Sequence, residues 1–149
     1  MKINLLWADD DCNRFLLPLG RIIDKDPRFN LTKATNYLEA LNYLETSQGA
    51  PNTLIRALLA DIILPYDIEG RGALISDLGI KLANRAASLG VRAVAFLTVV
   101  RRDEVADKFI ELQDSHSHVN FTYFDKTDLL SRNELQNLLD ALSDSDHAQ

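Results

Sequence analysis

Four apolar runs in this chain end on side chains that can do chemistry. Asn4-Leu5-Leu6-Trp7-Ala8 runs into Asp9-Asp10-Asp11, and Leu58-Leu59-Ala60 runs into Asp61. Val94-Ala95-Phe96-Leu97 ends on Thr98, and Phe121-Thr122-Tyr123-Phe124-Asp125 ends on Lys126. Carboxylates gather a cation, while an ammonium and a hydroxyl stabilise an oxyanion. Brought to ~4 Å of one another, two carboxylates repel by about 4 kcal/mol at an effective dielectric near 20. A cation therefore has to be supplied. Oxygen ligands without His or Cys thiolate select a hard ion, and a few carboxylates completed by water suit Mg²⁺. Once its charge is screened, an aspartate is a competent nucleophile toward an activated phosphoryl group.

The elements that would position these groups are short buried strands. Apolar runs of this length, bounded by turn signals, read as strands of a parallel sheet, whose carboxyl ends share the edge where open α/β sheets place ligands. The strands are expected near residues 3–8, 29–34, 58–60, 91–97 and 121–125, with helices between them. The first helix is expected over residues 13–24, with Leu16, Leu17, Ile22 and Ile23 on its apolar face and Pro18 in its first turn or at a kink. Thr35 or Asn36 caps the second, which sets Leu38, Leu41 and Leu44 on one face. The third runs to about Ser88 and stops at Gly90. Asp103 caps a fourth through Gln113, burying Val105, Phe109, Ile110 and Leu112; Ser131 caps a fifth with a stripe of Leu135, Leu138, Leu139 and Leu142. Five strands alternating with five helices make an α/β three-layer sandwich around a five-stranded parallel sheet.

Composition narrows the function. A chain of 149 residues, 46% hydrophobic, has room for a single globular domain. Residues 1–149 are read as that domain, with its core in 3–142 and a fraying tail in 143–149. A net charge of −6 argues against direct nucleic-acid binding, which needs a basic patch. Met1-Lys2-Ile3-Asn4 enters a strand without a signal-peptide pattern and no run reaches membrane length, so a cytoplasmic protein is expected. The single Cys12 forms no internal disulfide, and neighbouring carboxylates disfavour its thiolate. His116 and His118 have no third ligand nearby and are not read as a metal site.

Taken together, the acidic pair after the first strand, the Asp-x-x-Leu-Pro motif from Asp61 to Pro65, the Thr after the fourth strand and the Lys after the fifth resemble a response-regulator receiver domain of two-component signalling. The resemblance covers about residues 3–142. It implies the flavodoxin-like strand order 2-1-3-4-5 and a phosphoacceptor at Asp61, phosphorylated by a histidine kinase or phosphotransfer protein. It further implies Mg²⁺ held by Asp9, Asp10, Asp61 and the backbone carbonyl of Ile63, with Thr98 and Lys126 on the phosphoryl oxygens and Tyr123 as an aromatic switch. Such a protein is a phosphoacceptor that promotes its own phosphorylation and dephosphorylation, not an enzyme in the usual sense. It would act as a stand-alone receiver on a downstream protein partner, with a homodimer left open and no membrane contact.

This sequence departs from the receiver pattern in three places. Thr127 follows Lys126 where Pro is usual, and Val99 follows Thr98 where a small residue is usual. Receivers place a Gly soon after the Pro; here Gly70 or, after an insertion, Gly79 fills that role. The insertion is favoured, and residues 66–77 are expected at the rim of the site. Two other readings compete. A haloacid-dehalogenase-type phosphatase would use Asp9-Asp10-Asp11, Thr98 and Lys126, but it finds Asn13 where Thr or Val belongs and gives Asp61 no role. A non-phosphorylated receiver-like interaction module would bind partners through the same fold.

Overall fold

The computed structural model describes residues 2–14, 16–70, 77–128 and 132–143. Five strands form one parallel sheet: β1 Ile3–Ala8, β2 Phe29–Ala34, β3 Ala57–Ala60, β4 Ala93–Thr98 and β5 Asn120–Asp125. Their order is β2-β1-β3-β4-β5, the order expected. The reversal between β1 and β3 leaves a crevice at their carboxyl ends. Those are the two strands followed by Asp9 and Asp61.

The connecting helices are α1 Leu17–Lys25, α2 Tyr37–Thr46, α3 Leu78–Ser88, α4 Ala106–Ser115 and α5 Arg132–Ser143. Strand alternation sorts the core into two layers. On one face Leu6, Leu58, Val94, Phe96 and Phe121 pack with Leu44 of α2, Leu82 and Ala86 of α3, and Phe109 and Leu112 of α4. On the other, Leu5, Trp7, Leu59, Ala95 and Leu97 pack with Leu19 and Ile23 of α1 and Leu138, Leu139 and Leu142 of α5. Among the described residues no helix is long and apolar enough to cross a membrane.

Several local expectations are corrected. α1 starts at Leu17 rather than Asn13, because Pro18 occupies its first turn, where a missing amide costs nothing, and residues 10–14 form turns instead. Asn36 caps α2, accepting from Glu39 N at 2.9 Å, but Leu38 is 41% exposed and the buried face is Ala40 and Leu44 with Tyr37 and Leu41 against it. Asp103 does not cap α4; it lies in a short 3₁₀ turn at Arg102–Glu104 and pairs with Arg101 just before that turn, and Ile110 is 53% exposed. Ile22, expected on the apolar face of α1, is likewise 43% exposed, and the buried positions there are Leu19, Gly20 and Ile23; in all three helices spacing alone assigned to the core a leucine or isoleucine one step around from the docked face. Ser143 belongs to α5, and Arg28 donates to its hydroxyl at 3.3 Å. Ser131 and the remainder of the tail lie outside the described residues.

Candidate functional site

Ladder hydrogen bonds carry the sheet one residue past two strand ends: Asp9 N donates to Ala34 O at 2.9 Å, and Asp61 N donates to Ala8 O at 3.0 Å. Both carboxylates therefore start from rigid backbone. Asp9 is fully buried and Asp61 almost so, while Asp10 is exposed. Carboxylate oxygens of Asp9, Asp10 and Asp61 lie within 4.8 Å of one another. Asp11 stays outside this group, and its backbone N–H instead donates to Asp9 Oδ1 at 2.8 Å.

Lys126, delivered by the 3₁₀ turn Lys126–Asp128 after β5, reaches across the edge. Its Nζ stands 2.7 Å from Asp61 Oδ2 and 3.0 Å from Asp9 Oδ2. The turn needs no proline, because Asp125 Oδ1 accepts from Thr127 N at 2.9 Å and Thr127 Oγ1 at 2.8 Å. Such a side-chain clasp sets the bend locally. The other oxygen of Asp61, Oδ1, accepts from Ile63 N at 3.2 Å.

Burial pushes Asp9 up to about 6, against the Lys126 charge and with the Asp61 charge. Asp10 is also pushed up, by the partial burial of its carboxyl and by Asp11 and Asp61. For Lys126, burial works against the ammonium, but the two carboxylates outweigh it and hold its pKa above the ordinary lysine value. One ammonium thus faces three acids. Asp9 Oδ2, buried, has the Lys126 ion pair but no well-aligned hydrogen bond. An under-neutralised, all-oxygen cluster fits a hard divalent ion.

Thr98, at the end of β4, is fully buried, and its Oγ1 accepts from Val100 N at 3.2 Å. The Tyr123 hydroxyl donates to the carbonyl of the same Val100. The two side chains singled out by the sequence therefore meet on one residue of the loop after β4, a relation that no spacing rule could reveal. Val99, beside it, is 59% exposed. Cys12 is free and buried, and burial followed by the Asp9 charge pushes its thiol up to about 11, which disfavours the thiolate.

The segment after Pro65 takes a course that the sequence did not indicate. Tyr37 N donates to Pro65 O at 2.7 Å and Leu38 N to Tyr66 O at 3.0 Å, satisfying free amides in the first turn of α2. The Tyr37 and Tyr66 rings stack with centroids 6.0 Å apart. The described part of the insertion, through Gly70, is thus anchored on α2, and residues 71–76 lie outside the described residues. The start of α3 is decided by Gly79, as expected, for a reason visible only in three dimensions. Gly79 N donates to Ile62 O at 2.9 Å, and a Cβ there would stand 1.9 Å from Asp61 O.

No protein family and no curated protein matches the sequence itself. Solved structures do match the fold. A CheY-like response-regulator receiver domain protein from Methanospirillum hungatei JF-1 superposes with a TM-score of 0.67 at 19% identity, over 100% of both chains. A Burkholderia pseudomallei response regulator, solved with a phosphorylated aspartic acid, calcium ion and citrate, gives 0.63 at 19% identity, over 98% of this chain and 70% of that one. The non-phosphorylated receiver domain of the Escherichia coli stress response regulator RcsB gives 0.63 at 17%, over 100% and 96%. The chain has the fold of response-regulator receiver domains.

Proposed function

We propose that this chain is a phosphoacceptor signalling domain that takes a phosphoryl group onto Asp61 from a phosphohistidine-bearing kinase or phosphotransfer protein. The observation that carries this reading is the setting of Asp61: a nearly buried carboxylate at the switch point of the sheet, 2.7 Å from the Lys126 ammonium and grouped with Asp9 and Asp10. Asp9, Asp10 and Asp61, with the Ile63 carbonyl, would hold Mg²⁺, which when bound supplies positive charge against the transferring oxygens.

An Asp61 carboxylate oxygen forms the new P–O bond as the donor's P–N bond breaks. Lys126, already at Asp61 Oδ2, neutralises charge on one phosphoryl oxygen, and the Thr98 hydroxyl donates to another while still accepting from Val100 N. The same groups stand ready for hydrolysis of the aspartyl phosphate by water. In keeping with the receiver fold, the output is a change of surface near α4, β5 and α5, read by a separate protein.

The test is intact mass after incubation with a small phosphodonor and Mg²⁺. One added phosphoryl group, base-labile and absent from Asp61→Asn, is expected. Persistence in Asp61→Asn with loss in Asp9→Asn would replace this reading with the phosphatase chemistry, and no phosphorylation at all would leave a binding module.

A further inference from the structure

The edge of the sheet where the strands begin carries charge of the opposite sign. Lys2 precedes β1, Arg28 precedes β2, Arg56 precedes β3 and Arg92 precedes β4. Arg28 is committed to Asp26 at 2.8 Å and Asp140 at 3.1 Å. Lys2, Arg56 and Arg92 have no ion-pair partner among the described residues. Acids outnumber bases in this chain, 22 to 16, so compensation was available and is not used here.

Two of these residues are backbone neighbours on adjacent strands. The pairings Leu5↔Ala57 and Ala57↔Ala93 put Arg56 beside Asn4 on one side and Arg92 on the other, and Arg92 N donates to Arg56 O at 2.8 Å. Next to Arg56 lies a cavity of about 170 Å³ whose lining includes Lys2, Asn4, Asn30, Asn52, Leu54 and Arg56, with no carboxylate. Its amides are fixed by their own bonds: Asn4 Nδ2 donates to Asn52 O at 2.9 Å and Leu54 O at 3.2 Å, and Asn30 Nδ2 donates to Asn4 Oδ1 at 3.3 Å. An ordered wall thus adjoins the exposed Lys2 and the half-buried Arg56, two cations with no ion-pair partner among the described residues.

The geometry points to a binding site for a small phosphate dianion, free or as the end group of a phosphomonoester, held by Arg56 and Lys2. A guanidinium fork and an ammonium match the tetrahedral oxyanion, and the missing carboxylate leaves the ligand to provide the negative charge. The cavity is too small for a nucleotide, whose base and sugar would project into solvent. From Arg56 to Asp61 the chain runs along β3 for five residues, about 16 Å at the strand rise. The site is therefore separate from the carboxylate edge and does not depend on phosphorylation there.

The experiment is a nitrogen-15 amide titration without Mg²⁺, using inorganic phosphate, glycerol 3-phosphate and, at matched ionic strength, chloride. Saturable shifts at Asn30, Asn52 and Arg56 are expected with both phosphates and not with chloride. Glycerol 3-phosphate binding the tighter of the two identifies an ester as the natural form. Arg56→Gln should weaken phosphate at least about tenfold, the loss of one charge-assisted pair, with its melting temperature without phosphate unchanged. Lys2→Gln, an exposed change, should weaken it less but measurably, and it decides the matter if Arg56→Gln does not fold. Shifts that fail to saturate, that chloride reproduces, or that survive both substitutions at full affinity would overturn the site.

Discussion

Gly79 and Asp61 touch through their backbones: a Cβ at Gly79 would stand 1.9 Å from the carbonyl oxygen of Asp61 and 2.7 Å from Ile62 Cα. The obstructing atoms are main chain held by the sheet, so they cannot rotate aside. The first turn of α3 is thereby seated directly against the residue proposed to be phosphorylated. Gly79→Ala should cost about 1–3 kcal/mol of stability through overpacking and shift the amide resonances of Asp61 and Ile62. Gly49→Ala, where nothing lies within 4 Å, is the control and should stay near neutral. Chemical denaturation of the two variants checks this; equal stability would mean that α3 can back away from Asp61 freely.

Asp9 gives the stability a sign with pH. Its carboxyl titrates near 6 in the folded protein, against 3.8 for the unperturbed group, so between those values the folded state holds more protons than the unfolded one. Without divalent cation, stability should therefore fall as pH rises from about 4 through about 6 and level off above, at about 1.4 kcal/mol per pKa unit. Urea unfolding at acid and neutral pH reads the slope. Asp9→Asn should flatten it, and an undiminished slope in that variant would assign the effect elsewhere.

Mg²⁺ binding should discriminate between adjacent acids. Asp10 belongs to the oxygen cluster and Asp11 does not. Asp10→Asn should weaken Mg²⁺ on the order of tenfold, since affinity follows ligand charge, whereas Asp11→Asn should change it little. Trp7, fully buried on β1 two residues before Asp9, supplies the fluorescence signal. Equal losses in the two variants would move the ligand set one residue along the chain.

Thr98 and Tyr123 should be energetically coupled through Val100. One accepts from its N–H and the other donates to its carbonyl, so removing either loosens the same residue from the peptide on one side of it. A double-mutant cycle of Thr98→Ala and Tyr123→Phe should show an interaction of about 0.5 kcal/mol or more. With beryllofluoride bound, Thr98→Ala should keep amide shifts at Asp61 but lose most of those at α4 and β5. Strict additivity together with full distant shifts would show that the signal bypasses this loop.

What the sequence by itself determined is the sheet and which side chains stand at its carboxyl edge. The alternation of short apolar runs with helical stretches, four of the runs ending on Asp9, Asp61, Thr98 or Lys126, points to a parallel sheet, because strands joined by helical crossovers run in one direction and are covered on both faces. Shared strand direction then brings all four ends to one edge. Which of Asp9, Asp10 and Asp11 would cluster came from the receiver resemblance, whose acidic pair follows the last apolar residue of the first strand, here Ala8. Helix faces were harder. Leu38 and Ile110 fit an apolar spacing yet stay exposed, because the docking angle of a helix, set by its partners, selects the face that is buried. The late start of α1 turned on Pro18, whose two permitted roles only packing could separate. Gly79 could be named but not explained, and the meeting of Thr98 with Tyr123 on Val100 depends on a bond between Tyr123 and a residue 23 positions earlier. Such contacts are decided when sheet register and loop course place atoms side by side, and neither is written in the spacing of one chain.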